Sequence, residues 1–453
     1  MYQLTALAAG CLALVAGPLS PVDAAAPRPN IIVIYADDLG YGDLGCYGHP
    51  TIRTPHLDRM AAEGVRFTQF YSAAEVCTPS RAALLTGRLP IRSGMCSARR
   101  RVLFGNSAGG IPDEELLLSE ALKAQGYRTC CIGKWHLGHL PQYLPTRQGF
   151  DRYFGLPYSN DMKPLYLLRQ EEQIEPDPDQ TQLTHRYTDE AVQFIRESQR
   201  AGNKEPFFIY LPHTMPHTPL FASEKDRGRS ARGLYGDVVE AIDDSTGRIL
   251  ATLGELGIAE RTLVVFSSDN GPWLIRGVNG GSAGLLREGK GSTWEGGMRV
   301  PGIFWWPKQI PAGVVTQELG STMDIYVTCL KLAGAPLPAD RTLDGYDLSP
   351  VLLGQGKSPR EVMFYYRGDQ LFAVRQGPFK AHYKTQAGYG QPMPQSHEPP
   401  LVYNLLHDPS EQHDVSKQHP EVIAAIASEV EAHRATLKDV PNQLERMIAA
   451  PRR

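Results

Sequence analysis

Four apolar runs constrain the fold of this chain most strongly, because each ends directly in side chains that carry chemistry. Residues 31–35 precede Asp37 and Asp38, residues 127–132 precede Lys134 and His136, residues 207–211 precede His213 and His217, and residues 263–266 precede Asp269 and Asn270. Short continuous runs rich in β-branched and aromatic residues, without polar alternation, read as strands buried on both faces. Between them, residues 114–125, 188–199 and 235–254 repeat apolar side chains at helical spacing. Strands alternating with helices predict an α/β fold, a large and mostly parallel sheet sandwiched by helices. Sites in such sheets lie at the carboxyl ends of the strands, where all four polar sets fall.

After about residue 335 the texture changes. Residues 361–366, 371–375, 379–383 and 401–405 read as short strands separated by Gly-Asp and Gly-Pro turns, and residues 420–437 as a final helix. The expected organisation is therefore a catalytic domain over 27–335 and a smaller C-terminal α+β domain over 336–453, containing a short antiparallel sheet. Residues 4–19 are apolar and lead to small residues at 22–26, which predicts a secretory signal over 1–25 and a secreted or periplasmic protein, although no Lys or Arg precedes the run. Too few apolar residues precede Cys11 for a lipoprotein box, and no other stretch is long and apolar enough to span a membrane. With a formal net charge of -3 the chain makes no global case for nucleic-acid binding, and Arg99, Arg100 and Arg101 read as a solvated loop that an anionic substrate could use.

The segment 77–88 places Cys77 and Arg81 four residues apart at the start of a predicted amphipathic helix. Cys77 or Thr78 is suited to cap it and Pro79 to its first turn, and the helix N-terminus favours an anion. A buried structural cysteine is the competing reading for a lone Cys. Asp37, Asp38, Asp269 and Asn270 add three carboxylates and an amide oxygen from two strand ends, hard ligands suited to Ca²⁺ or Mg²⁺.

The run from Cys77 to Arg88 resembles the signature of the type I sulfatases, members of the alkaline phosphatase-like superfamily, in which the matching cysteine is oxidised to formylglycine (3-oxoalanine) by a maturation enzyme. The resemblance extends from Asn30 to about Pro307 and resumes near Tyr403 and Asp408. It implies that Asp37, Asp38, Asp269 and Asn270 bind one Ca²⁺, with Mg²⁺ the alternative, and that modified Cys77 lies beside it. It further implies that Arg81 holds the aldehyde hydrate, that Lys134 and His136 contact sulfate and hydrate with His136 as base, that His217 protonates the leaving alcohol, and that Lys290 binds a sulfate oxygen. Residues 90–94 and 109–113 resemble the arylsulfatase A and N-acetylgalactosamine-6-sulfatase branch, which implies exo-hydrolysis of sulfate esters on sugars such as galactose or N-acetylgalactosamine, and on aryl sulfates. Specificity is expected from loops 158–182 and 393–400. Two alternatives stand beside this reading: a phosphonate monoester or phosphodiester hydrolase of the same superfamily, and a silent glycan-binding protein. Of the seven cysteines, loss of Cys11 with the signal and modification of Cys77 would leave Cys46, Cys96, Cys130, Cys131 and Cys329, an odd number with at least one free thiol in a monomer.

Overall fold

The computed structural model describes residues 28–200, 205–390 and 393–449; the signal segment expected over 1–25 lies outside them. The strands are β1 (Asn30–Ala36), β2 (Val65–Tyr71), β3 (Arg128–Ile132), β4 (Arg152–Gly155), β5 (Tyr166–Arg169), β6 (Glu172–Pro176) and β7 (Phe207–Pro212). They continue with β8 (Thr262–Ser268), β9 (Gly302–Trp305), β10 (Val314–Ser321), β11 (Val362–Arg367), β12 (Gln370–Gln376), β13 (Phe379–Thr385) and β14 (Gln395–Asn404). A 10-stranded sheet has the order β10-β2-β9-β8-β1-β7-β3-β4-β5-β6, and a 4-stranded sheet the order β11-β12-β13-β14. In the large sheet β9 pairs antiparallel with β2 and β8, and β5 antiparallel with β4 and β6, while the central strands β8, β1, β7, β3 and β4 run parallel. The small sheet is antiparallel throughout. The family architecture expected from the sequence, a mixed and mostly parallel sheet with a small C-terminal sheet, is the one observed.

Alternation along β1 shows why its run reads as continuously apolar. Ile31, Val33 and Tyr35 enter one hydrophobic cluster while Ile32, Ile34 and Ala36 enter another on the opposite face. Helices Cys77–Thr86 and Thr322–Leu332 cover the first face, and helices Pro55–Ala62, Leu183–Ser198 and Leu234–Glu255 the second. A strand buried on both sides has no solvent face to mark with polar residues.

Several local expectations are corrected. The helix expected over 114–125 is confined to Leu118–Lys123. The helix Cys77–Thr86 is not amphipathic, since all its residues are buried between the sheet and neighbouring helices. Its N-cap is Val76, in extended conformation and without a side-chain cap; Cys77 is the first helical residue, and the Thr78 hydroxyl instead accepts from the Leu103 amide at 3.2 Å. A residue whose hydroxyl has a tertiary donor is not needed as a cap. The presumed specificity loops are partly regular: 158–182 contains β5 and β6, and 393–400 enters β14.

Candidate active site

Register brings the polar sets together. β1 pairs with β8 from Asn30↔Thr262 to Ala36↔Ser268, so Asp37 and Asp269 leave adjacent strands side by side. The ladder continues beyond the strands: Asp269 N donates to Ala36 O at 3.1 Å, His213 N to Tyr35 O at 2.8 Å, and Lys134 N to Pro212 O at 2.8 Å. Gly133 makes the last approach feasible, because it has φ +125° and a Cβ there would lie 1.9 Å from Pro212 O. Asp38 and His136 adopt left-handed φ values of 65° and 59°, a strained conformation for residues with side chains that is concentrated at functional sites.

The expected residues converge in one buried cluster. Cys77 Sγ lies 3.6 Å from Asp37 Oδ1. Arg81 grips Asp269 Oδ2 through Nε at 3.0 Å and Nη2 at 2.7 Å, donates from Nη1 to Lys134 O at 3.0 Å, and approaches Asp37 at 3.5 Å. Lys134 Nζ donates to Asp37 Oδ2 and, at 3.3 Å, approaches Ser159 Oγ. Lys290 Nζ meets Asp38 at 2.7 Å, and His217 Nε2 lies 3.7 Å from Asp38 Oδ2. Three carboxylates are thus matched by three fixed cations, which is what permits so many charges to be buried together.

Two histidine tautomers follow from their partners. His136 Nε2 faces Leu103 O at 2.8 Å, and a carbonyl only accepts, so Nε2 carries the proton and the buried Nδ1 lone pair is left without a partner. His217 Nδ1 faces Asn160 Oδ1 at 3.0 Å. Asn160 Nδ2 donates to Gln180 Oε1 and Pro219 O, which orients the amide so that its oxygen receives the His217 proton. The Nε2 of His217 faces Asp38 Oδ2 at 3.7 Å. Neither Ser159 nor Asn160 is signalled by a linear motif; each stands beside its partner only through folding. His213 is wholly buried with neither ring nitrogen hydrogen-bonded, and packs against Tyr187 rather than entering the cluster's contacts.

Burial and neighbouring charge set the electrostatics. Burial would raise the Asp37 carboxyl, yet Lys134, His217 and Arg81 hold it well below the usual range. Burial raises Asp38, and burial together with Asp37 brings Asp269 to about 7. Burial, reinforced by Lys134 for His136 and Lys290 for His217, keeps both imidazoles well below their ordinary value. Burial pushes the Cys77 thiol far up despite the two lysines.

The donor set fits a hard divalent cation. Ligand atoms of Asp37, Asp38, Cys77 and His217 lie within 4.8 Å of one another. Asn270 Oδ1 is buried and has no hydrogen-bond donor, while its Nδ2 donates to Asp38 Oδ1 at 2.7 Å. An orphaned amide oxygen beside paired carboxylates matches the oxygen-rich coordination of Ca²⁺ or Mg²⁺. Asp269 stands at the cluster edge, its Oδ1 accepting from Asp38 N at 3.1 Å and its Oδ2 from Arg81.

The profile described as Sulfatase matches residues 29–335, and one described as the C-terminal region of aryl-sulfatase matches residues 358–452. Human (Homo sapiens) arylsulfatase A is 44% identical over 450 residues, covering 89% of this chain and 87% of the relative. N-acetylgalactosamine-6-sulfatase of Canis lupus familiaris is 43% identical over 465 residues, covering 93% and 88%. The crystal structure of PsFucS1 sulfatase from Pseudoalteromonas sp. superposes with a TM-score of 0.84 at 33% identity, covering 92% of this chain and 91% of that one. With the family model over most of the chain and relatives 44% and 43% identical over nearly its whole length, this chain belongs to the sulfatase family, the sulfuric ester hydrolases.

Proposed function

We propose that the chain is an exo-acting sulfatase for sulfated sugars, such as galactose or N-acetylgalactosamine sulfates, that also turns over aryl sulfates. The observation that carries this reading is the convergence of Arg81, Lys134, His217 and Lys290 on the carboxylates around Cys77. In it, residues 27–335 form the catalytic domain, 336–453 the smaller C-terminal domain, and export proceeds through the segment 1–25.

Asp37, Asp38, Asp269, Asn270 and the modified Cys77 side chain would hold one Ca²⁺, which when bound supplies a Lewis acid that acidifies a hydroxyl and neutralises sulfate oxygens. Formylglycine at position 77, which a maturation enzyme would make from Cys77, would supply as its hydrate the hydroxyl nucleophile toward sulfur and the second hydroxyl needed for sulfate release. Lys134 and Lys290 bind the sulfate oxygens, where charge accumulates in the transition state. Arg81, anchored on Asp269, orients the Cys77 side chain one helical turn before it. His217 delivers a proton from Nε2 to the leaving oxygen while Asn160 keeps the other proton on Nδ1; because burial and Lys290 favour the neutral ring, this imidazolium forms only with the anionic sulfate ester bound and Asp38 beside it. His136 takes the hydrate proton on Nδ1, because Leu103 O retains the proton on Nε2.

The test is the mass of the tryptic peptide from Phe67 to Arg81 in protein from its native host, combined with turnover of 4-nitrophenyl sulfate. Oxidation of thiol to aldehyde lightens the peptide by about 18 Da. Cys77→Ala should abolish turnover with the fold retained; an unmodified Cys77 in active protein, or full activity of the variant, overturns the mechanism.

A further inference from the structure

Beyond the sulfate-binding cluster, aromatic rings lead from the leaving-group histidine to a second cationic cavity. Trp273 packs against the His217 ring at a centroid distance of 5.2 Å, Tyr389 packs against Trp273 at 5.3 Å, and Arg101 lies over Tyr389, 5.1 Å from its centroid. Arg101 and Arg367 then line a cavity of about 210 Å³ together with Gln370, Phe372 and Gln386. Lys384 contacts two of these lining residues, donating to Gln370 Oε1 at 2.9 Å and lying 6.0 Å from the Phe372 ring.

The cavity is physically tied to the proposed reaction centre. Arg101 Nη2 and Arg367 Nε both donate to the carbonyl of Gly291, the residue after Lys290, at 3.2 and 2.8 Å. Two residues beyond Arg101, the Leu103 carbonyl holds His136. The Arg99–Arg101 run is therefore not simply a solvated loop: the Arg101 side chain is 15% exposed.

Its positive charge is incompletely compensated. Arg101 pairs with Glu75 at 2.6 Å, but its Nε is buried without an acceptor. Arg367 donates to two neutral oxygens, Gly291 O and Gln386 Oε1, and no carboxylate comes within ion-pair distance of it among the described residues. Burial and the adjacent Arg101 charge push Arg367 down to about 10, although Glu75, which pairs with Arg101 and accepts from the Gly368 amide at 3.2 Å, partly offsets them. Asp369, in the turn before Gln370, is exposed.

We propose that this cavity is a second anion subsite, which takes a carboxylate or sulfate carried by the leaving alcohol beyond the scissile ester. The inference rests on the sulfatase reading above and deepens it: the preferred substrates are sulfated sugars with a further negative charge. Trp273, whose ring is met by Arg276 at 3.9 Å and by Lys290 Nζ at 4.4 Å, and Tyr389 border the sugar between the two anionic groups, and paired guanidinium groups suit the planar or tetrahedral oxyanion at the far end.

The test compares kcat/KM for N-acetylgalactosamine 6-sulfate, N-acetylgalactosamine 4,6-disulfate and a uronate-linked disaccharide carrying the same 6-sulfate, with 4-nitrophenyl sulfate as reference. At least one doubly anionic substrate should exceed the monosulfated sugar by about tenfold, as charge-assisted contacts predict. Preference for the disulfate identifies sulfate as the second anion, and preference for the disaccharide identifies carboxylate. Arg367→Gln should bring that ratio toward one. Gln370→Glu, which adds a carboxylate at the wall without removing any contact to Gly291, should do the same. A wild-type ratio near one for both substrates, or a ratio that survives both substitutions, overturns the subsite alone when 4-nitrophenyl sulfate is still hydrolysed. Absence of turnover on every sulfate ester would overturn the hydrolase reading and the subsite with it.

Discussion

Lys380→Met should unfold the chain more easily by about 3 kcal/mol, because it leaves buried carboxylates facing one another. Lys380 Nζ donates to Thr293 O at 2.8 Å and Glu295 Oε1 at 3.0 Å, and lies 3.1 Å from Glu411 Oε1, with all three charged side chains fully buried. Breaking a buried pair from one side costs roughly 3–5 kcal/mol. The lower end applies here because each carboxylate keeps other donors: Glu295 retains Tyr71 Oη at 2.6 Å and Arg299 at 3.4 Å, and Glu411 retains the Glu295 amide and His382, both at 2.7 Å.

Burial would raise the Glu295 carboxyl, but Lys380, Arg299 and Arg375 hold it down to about 2. A carboxyl depressed in the folded state contributes stability that is fully present above its unfolded value of about 4.5 and lost as pH falls from there toward about 2. Without Lys380 that depression shrinks, so the deficit of the variant should be largest at neutral pH and narrow below about pH 4.5. Urea unfolding of wild type, Lys380→Met and Lys380→Met/Glu295→Gln at pH 7 and pH 4 reads all of this; the double variant should recover more than half of the loss at pH 7. A single variant within about 1 kcal/mol of wild type, or a double variant no more stable than the single one, would refute the reasoning. The seam also bears on catalysis, since Lys380 anchors Thr293, three residues from Lys290.

Asn160→Ala should lower kcat about tenfold on a sugar sulfate and leave its KM nearly unchanged, because it frees the His217 tautomer without touching the sulfate, while 4-nitrophenyl sulfate should be nearly spared; steady-state kinetics on both substrates decides it. His217→Ala should cost more on a sugar sulfate than on 4-nitrophenyl sulfate, since a nitrophenolate leaves without a proton; equal losses would remove its role as acid. Chelation by EGTA should abolish turnover and lower thermal stability, and Ca²⁺ at about 100 times its Kd should restore about 2.7 kcal/mol, measured by calorimetry with and without the ion.

The central strands and the polar residues clustered at their ends were legible in the linear sequence for a physical reason. A strand buried on both faces must be apolar at every position, and β1, β7 and β8 coincide with their runs. The edge of the sheet was less legible: β6 is largely exposed and β10 alternates in burial over its first half, so neither forms a continuous apolar run. The Cys77–Arg88 segment was legible because its chemistry is local, with Cys77 and Arg81 one helical turn apart.

Tertiary structure alone decided which distant groups meet. Lys134 reaches Asp37 across 97 positions, Lys290 reaches Asp38 across 252, and Asn160 reaches His217 across 57. The sequence by itself determined the central strands and the residue types at their ends, because backbone periodicity and burial act over a few residues. Sheet register and domain docking decided the histidine tautomers, the Glu295–Lys380–Glu411 seam and the Arg101–Arg367 cavity, because hydrogen bonding and ion pairing depend on separations of about 3 Å that no local pattern encodes.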